Sequence, residues 1–478
     1  MSETTWEIAP HEASRGTEPA RVEATAGVRP GRIPLGVLLI ALTLGSAVAL
    51  CRPYDPTDDA AQHDQIAQNL LAGHGFSLDA SAPFAPSMYR EPAYPLFLSG
   101  IFFIAGHRYP AVQLAQVLLF VLTVLLTYLV GMHAFNARIG RIAALVVALM
   151  PALAGYPRYL LSETLYSCLL LALVWALGKT VPAGRLWWFV AAGWLWGATV
   201  LCRATAIVLI APIGLVWWML HRREQGHVMR RAAGYAAFLL AAAVLVAPWV
   251  ARNRGRFGDG AFVALRGGRA VWERAQRIED AGERALQTVV FTLSERAGKA
   301  LFPDAAQASR DFLLRESTKG NEQVAAWQAA GLTEFEIDRR FMAEGLARIR
   351  QHPVIYAFQS GLELLKMTAF GYLPLLNEPD VQAAFQQSPS GRAFLALVKA
   401  LLRLLALPLL VLAGVGAYAN RVCWRRWLWI ALPVLVFNLA HALLNGYGRY
   451  AVPLLPYYAV FAAAGWAALP AQHRAAHE

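Results

Sequence analysis

Apolar residues fall in blocks of membrane-spanning length, at about 33–51, 110–131, 139–156, 159–178, 187–202, 205–220, 231–250, 397–418, 427–444 and 449–469. Charged loops separate them. Such blocks predict transmembrane helices, because a hydrocarbon core about 30 Å thick takes about 20 residues at 1.5 Å per residue. Two more apolar runs, 93–106 and 355–373, are short or interrupted by Glu363 and Lys366. The positive-inside rule arbitrates. The basic loops Arg138/Arg141, Lys179/Arg185, Arg222/Arg223/Arg230/Arg231 and Arg421/Arg425/Arg426 share one face only if neither run crosses. The expectation is an all-α polytopic membrane protein of about ten spans, both termini cytoplasmic, with the two doubtful runs as juxtamembrane helices outside.

That topology divides the chain into a disordered cytoplasmic tail (1–32), an N-terminal transmembrane module (33–250) whose first outer loop is 52–109, a large outer segment (251–394) and a C-terminal transmembrane module (395–478). The tail is too polar for a signal peptide, and no A-x-A-like site follows the first apolar run, so that run is expected to stay as an anchor. The outer segment carries helical patterns around 279–301, 304–318 and 333–351, punctuated by Gly267–Gly268, Pro303, Gly320 and Pro353. These predict short helices rather than a sheet domain.

Composition sharpens the class. The 478 residues are 57% hydrophobic and only 15% charged, against about a quarter charged in soluble chains. The net charge of +12 (43 basic, 31 acidic) sits largely in the short loops that set topology, so no nucleic-acid partner is implied. Membrane lipids are the expected surroundings. Cys51, Cys168, Cys202 and Cys423 show no CxxC or metal spacing. Motifs of the GxSxG, Walker A, HExxH and GxGxxG types are absent, which leaves hydrolase, NTPase, zinc-protease and dinucleotide chemistry unsupported.

The richest chemistry lies in the first outer loop, YDPTDDAAQHDQIAQNLLAGHGF. Pro56-Thr57 and Gly73/Gly75 predict a helix over 58–71, with Thr57 or Asp58 as cap. On that helix Asp59, Gln62 and His63 share one face, and Ile66, Ala67, Leu70 and Leu71 make an apolar stripe. A carboxylate there suits a general base, or a divalent-cation ligand beside a phosphate. Asp55, Asp58, Asp59, His63 and Asp64 keep a cation site open; a capping role for Asp58 and Asp59 is the plainer alternative. Glu163 stands just inside the outer end of a span, where a carboxylate is either functional or paired, with Arg158 as the nearby cation. Arg203 has an apolar run on each side, and would meet a phosphate or snorkel to headgroups. Arg90, Arg252, Lys366 and Arg449 add cations to the same outer face. His107, His352 and His441 have no ligand spacing.

At these residues the sequence resembles the GT-C superfamily of polytopic glycosyltransferases, on the branch of dolichyl-phosphate-mannose protein mannosyltransferases and lipid A aminoarabinose transferases. Five ordered matches carry the likeness between residues 52 and 460: an acidic residue eight before Ala67 in IAQNLLAGHGF, then REPAYPLFL, LLSETL, PWVARNRGRFG and RYAVPLLP. The resemblance implies a GT-C bundle with periplasmic juxtamembrane helices in a bacterial inner membrane. It implies inverting transfer of a sugar from a polyprenyl-phosphate donor to a lipid, glycan or protein acceptor. Asp59 then corresponds to the family's first-loop acid and candidate base, Asp58 to its neighbour, and Glu163 to a later acidic residue. Arg90, Arg203 and Lys366 or Arg449 would meet the lipid phosphate; His63, Tyr94, Arg252 and Tyr450 complete the candidate substrate-binding set. His63 stands where relatives often have Tyr, which keeps a metal alternative open. A transporter or flippase of lipid-linked sugars is the other class considered. It would need charges near mid-membrane, whereas these carboxylates lie at the outer rim.

Overall fold

The computed structural model describes residues 32–183, 185–221, 228–258, 262–264, 267–278, 286–287, 289–290, 295–303, 319–368, 374–444 and 448–475. The tail 1–31, the pattern at 304–318 and most of 279–294 lie outside them. The described residues are mostly helical, with no strand among them. The helices are α1 (Leu35–Ala49), α2 (Asp58–Leu71), α3 (Ala93–Ala105), α4 (Tyr109–Ala134), α5 (Ala137–Leu149), α6 (Pro151–Gly155), α7 (Glu163–Ala183), α8 (Leu186–Cys202), α9 (Ile210–His221) and α10 (Val228–Phe257). After them come α11 (Gly267–Gln276), α12 (Glu295–Leu301), α13 (Glu334–Gln351), α14 (Pro353–Thr368), α15 (Pro379–Gln386), α16 (Pro389–Ala419), α17 (Trp424–Leu443) and α18 (Leu455–Ala475).

Among the described residues five helices are long and apolar enough to cross a membrane, or six if the bent pair at 137–158 counts as one span. The protein is a multi-pass membrane protein. Its core lies between α4, α7, α8, α10, α17 and α18, where Leu170, Leu171, Leu173, Trp196, Phe238, Phe437, Tyr457 and Val460 are buried together. The outside is apolar too: Leu397, Leu401, Leu404, Leu405 and Val411 of α16 are exposed, as a surface solvated by lipid requires. Helix α16 docks on α18 through glycines. A Cβ at Gly416 would lie 2.0 Å from the Phe461 carbonyl oxygen, and one at Gly465 2.0 Å from that of Leu412, the small-residue contact that lets membrane helices approach closely.

One predicted span is broken. The run 139–156 reads as continuous, but α5 ends at Leu149 and the chain bends by 52° into α6 and the 3-10 turn Tyr156–Arg158. Pro151 supplies no N–H and pushes Met150 out of the helical region, to φ −75 and ψ 112. The predicted span 159–178 correspondingly starts only at Glu163. That places Glu163 in the first turn of α7, at the mouth of the bundle. In the segment 251–394 the pattern at 333–351 forms α13, entered through a capping box in which Thr333 and Glu336 bond each other's backbone N–H. Helix α13 packs on α11. Asp338 accepts the Gly268 and Arg269 N–H groups at the start of α11 at 3.0 and 3.2 Å.

Candidate active site

The loop between α1 and α3 folds as its punctuation dictates. Helix α2 runs from Asp58 to Leu71, and Gly73 and Gly75 leave it with φ of 79 and 80, values open to glycine but strained for other residues. Thr57 takes the cap position without a side-chain hydrogen bond. Asp58 starts the helix with φ of 50, a left-handed conformation that Asp tolerates better than most residues. The Asp58 side chain is exposed.

Around one end of the bundle, charges from five stretches of chain alternate in sign. Asp59, in the first turn of α2, pairs through Oδ1 with Arg90 and through Oδ2 with Arg449 Nη2 at 2.9 Å. Arg90, only 4% exposed, also donates from Nε to Gln62 Oε1 at 2.8 Å. Gln62 therefore shares the helix face of Asp59, as the periodicity predicts. Glu163, 1% exposed, accepts from Arg203 Nη2 at 2.5 Å, and Ser162 accepts from Arg203 Nε at 3.2 Å. The two halves meet on Tyr450: the guanidinium carbons of Arg203 and Arg449 lie 5.5 and 5.3 Å from its ring centroid, within cation–π range. His441 stacks on the same ring at 4.6 Å.

The structure thus brings Asp59, Glu163, Arg90, Arg203, Arg449 and Tyr450 into one cluster and sets the remaining candidates apart. His63 is buried and packs edge-on to Tyr94 at 4.9 Å, while the Tyr94 hydroxyl donates to Gln116 at 3.0 Å inside the bundle. Arg252 donates to the Ser87 carbonyl at 2.8 Å and lies over Trp249 at 4.8 Å, so it ties the loop to α10. The Lys366 side chain lies outside the described residues. The predicted partnership of Glu163 with Arg158 is replaced. Arg158, 1% exposed, bonds Glu378 Oε1 at 2.9 Å and the carbonyls of Arg52 and Pro53 at 3.0 Å each. The break at 156–162 turns it away from α7, toward the start of the loop. Glu378 also holds Arg52 and accepts from the Tyr159 hydroxyl at 2.5 Å. Beside it, burial pushes the Tyr54 phenol up to about 12.

The acids of α2 do not form a cation site. Asp64 faces the other way, within 2.8 Å of His107 Nε2 and accepting from Tyr109 at 3.1 Å and Gln68 at 3.0 Å. Both oxygens of Asp59 meet arginines. No three His, Cys, Asp or Glu side chains converge among the described residues. A donor set built this way suits an anion bound by guanidinium groups. Sequence reasoning missed Gln62 and Glu91 as site residues. Glu91 accepts the Ala204 N–H at 3.1 Å and so fixes the turn that presents Arg203. Its place in the REPAYP motif was the available signal.

Residues 86–251 match the family model described as dolichyl-phosphate-mannose-protein mannosyltransferase. No curated protein matches the chain. Among solved structures it is similar to the archaeal oligosaccharyltransferase AglB from Archaeoglobus fulgidus in complex with an inhibitory peptide and a dolichol-phosphate. The two are 14% identical over 92% of this chain and 51% of that one, with a TM-score of 0.50. The Archaeoglobus fulgidus oligosaccharyltransferase tethered to an acceptor peptide containing the NVT sequon gives 14% identity, 92% and 50% coverage and a TM-score of 0.50. ArnT from Cupriavidus metallidurans bound to undecaprenyl phosphate gives 15%, 89%, 77% and 0.41. The chain spans about half the length of the oligosaccharyltransferase structures it matches. At these identities the likeness is one of fold, and the fold is of the GT-C type, as the resemblance implied.

Proposed function

We propose that the protein is a membrane glycosyltransferase that moves a sugar from a polyprenyl-phosphate donor to a lipid, glycan or protein acceptor at the outer face of a bacterial inner membrane. One observation carries the reading: two carboxylates and three arginines from five stretches of chain converge at one end of a GT-C-type bundle. The dolichol-phosphate present with the similarly folded oligosaccharyltransferase supports a lipid phosphate as the anion.

The chemistry follows from the charges. Among the side chains paired in the cluster, three guanidinium groups stand against the carboxylates of Asp59 and Glu163, an excess that favours a phosphate, while Glu91 is engaged by the Ala204 N–H. A donor phosphate entering between Arg203 and Arg449 would compete with Asp59 for Arg449 and release Asp59 Oδ2. That oxygen then takes the proton of the acceptor hydroxyl or amine as the acceptor atom bonds to the anomeric carbon. The bond from that carbon to the phosphate oxygen breaks with its electron pair, leaving polyprenyl phosphate. Arg203 and Arg449 stabilise the charge that develops on it. Attack opposite the departing phosphate inverts the anomeric centre. Glu163 holds Arg203 in place and balances its charge.

The test is Asp59→Asn in purified protein, supplied with undecaprenyl-phosphate-linked sugars and followed by release of undecaprenyl phosphate. Loss of a general base lowers turnover by about 10²–10⁴-fold in variant protein that circular dichroism shows to be folded. Wild-type turnover in the variant rules out Asp59 as base. Movement of intact lipid-linked sugar across vesicles, with no carrier released, would favour transport instead.

A further inference from the structure

The stretch that carries Arg90 has no regular secondary structure of its own: residues 74–92 form no helix or strand. Its position is set from outside. Glu334, the first residue of α13, accepts the Ser87 hydroxyl at 3.2 Å and the Met88 N–H at 3.1 Å. Arg252, near the end of α10, donates to the carbonyls of Ser87 at 2.8 Å and Phe76 at 3.3 Å. Met88, fully buried, is packed between Phe257 and Phe335. Two residues beyond Met88 comes Arg90, whose guanidinium meets Asp59 and Gln62.

These contacts do more than hold a loop. A segment with no ladder of its own is free to slide by an ångström or so, and a guanidinium displaced that far loses its geometry toward a carboxylate or phosphate. Glu334 belongs to the large outer segment, more than two hundred residues from Ser87 along the chain. A second carboxylate of that segment, Glu378, grips the loop's other end through Arg52 and Arg158. Asp59 lies between the two grips, and Arg90 two residues beyond the one on Met88.

On the glycosyltransferase reading above, we infer that Glu334, with Arg252, is a positioning residue for Arg90, so that the outer segment sets the arginine that meets Asp59. Glu334 does not reach the reacting atoms. It acts through the Ser87–Met88 backbone, and its influence on the lipid phosphate passes through Arg90, which holds Asp59 and through it Arg449, the phosphate's partner.

The experiment uses the full chain in detergent, with undecaprenyl phosphate as probe. Its affinity is measured for wild type, E334A, E334Q, R90A and the R90A/E334A double variant, alongside each melting temperature. Loss of a hydrogen bond to a charged group corresponds to about a tenfold change, so E334A is expected to bind about tenfold more weakly. E334Q, whose amide oxygen still accepts the Met88 N–H, recovers part of that loss and carries the comparison if E334A fails to fold. The double variant binds no more weakly than R90A alone, because the two residues act in series. A contact that only stabilises the fold would lower melting temperature and give losses that add. Additive losses, or wild-type affinity in E334A and E334Q, overturn the proposal while leaving the carrier reading intact. A wild-type protein that binds no undecaprenyl phosphate overturns both.

Discussion

Replacing Glu163 by Gln separates a charge that serves the fold from one that serves a bound anion. Glu163 Oε1 lies 2.5 Å from Arg203 Nη2, and the carboxylate is 1% exposed. Opposite charges centred about 4 Å apart attract by about 4 kcal/mol at an effective dielectric of about 20. Gln keeps the hydrogen bond but not the charge. Its amide NH2 must also take the place of Oε2, which is buried and has no hydrogen-bond partner among the described residues, adding an unsatisfied donor. Part of the loss returns because a neutral side chain is cheaper to desolvate. The net expectation is about 3–5 kcal/mol of destabilisation, the usual result of removing one member of a buried pair. The assay is thermal unfolding in detergent with and without undecaprenyl phosphate. E163Q should melt clearly below wild type. The lipid phosphate should then raise its melting temperature more than it raises that of wild type, because it supplies the negative charge that Arg203 has lost. A variant that melts with wild type, or one that gains no more from the lipid, refutes the account of the Arg203–Glu163 pair.

Two further outcomes follow from groups outside the cluster. Arg158→Met leaves Glu378 without its buried partner and frees the carbonyls of Arg52 and Pro53, so unfolding in detergent should show a loss of about 3–5 kcal/mol. A melting curve superimposable on wild type would exclude that role. Burial raises the Glu334 carboxyl above its ordinary value of 4.5. A raised folded value means that its contribution to stability is fully present below the unfolded value and is lost as pH rises through the folded value. The stability of wild type relative to E334Q should therefore grow as pH is lowered through the folded value toward 4.5. A difference that stays flat across that range would contradict the assignment.

Much of this architecture is written in local signals. Pro56-Thr57 and the two glycines at 73 and 75 bracket α2, and the phase of Asp59 and Gln62 on it follows from the helical period alone. Thr333 and Glu336 announce α13 in the same way. What is not legible is partnership across the chain. Arg158 stands five residues from Glu163 but pairs with Glu378, because the break at 156–162 swings the intervening backbone. Arg203, forty residues from Glu163, arrives through the α8 turn that Glu91 fixes. Outer-face arginines all look alike in sequence. Only packing separates Arg449, which meets Asp59, from Arg252, which meets backbone carbonyls. The acids of α2 suggest a cation because they are close in sequence, whereas the helix points Asp59 and Asp64 to different neighbours.

The order in which the clustered charges emerge from the ribosome bears on when the protein can begin to work. Asp59 with Arg90, and Glu163 with Arg203, form two neutral couples that are complete once the first half of the chain has been inserted. The surplus positive charge belongs to Arg449, close to the final helix. A nascent chain that has not yet delivered this residue holds a balanced, anion-indifferent mouth. On the glycosyltransferase reading, attraction for a lipid phosphate would begin only once the turn that carries Arg449 has been inserted beside the two couples.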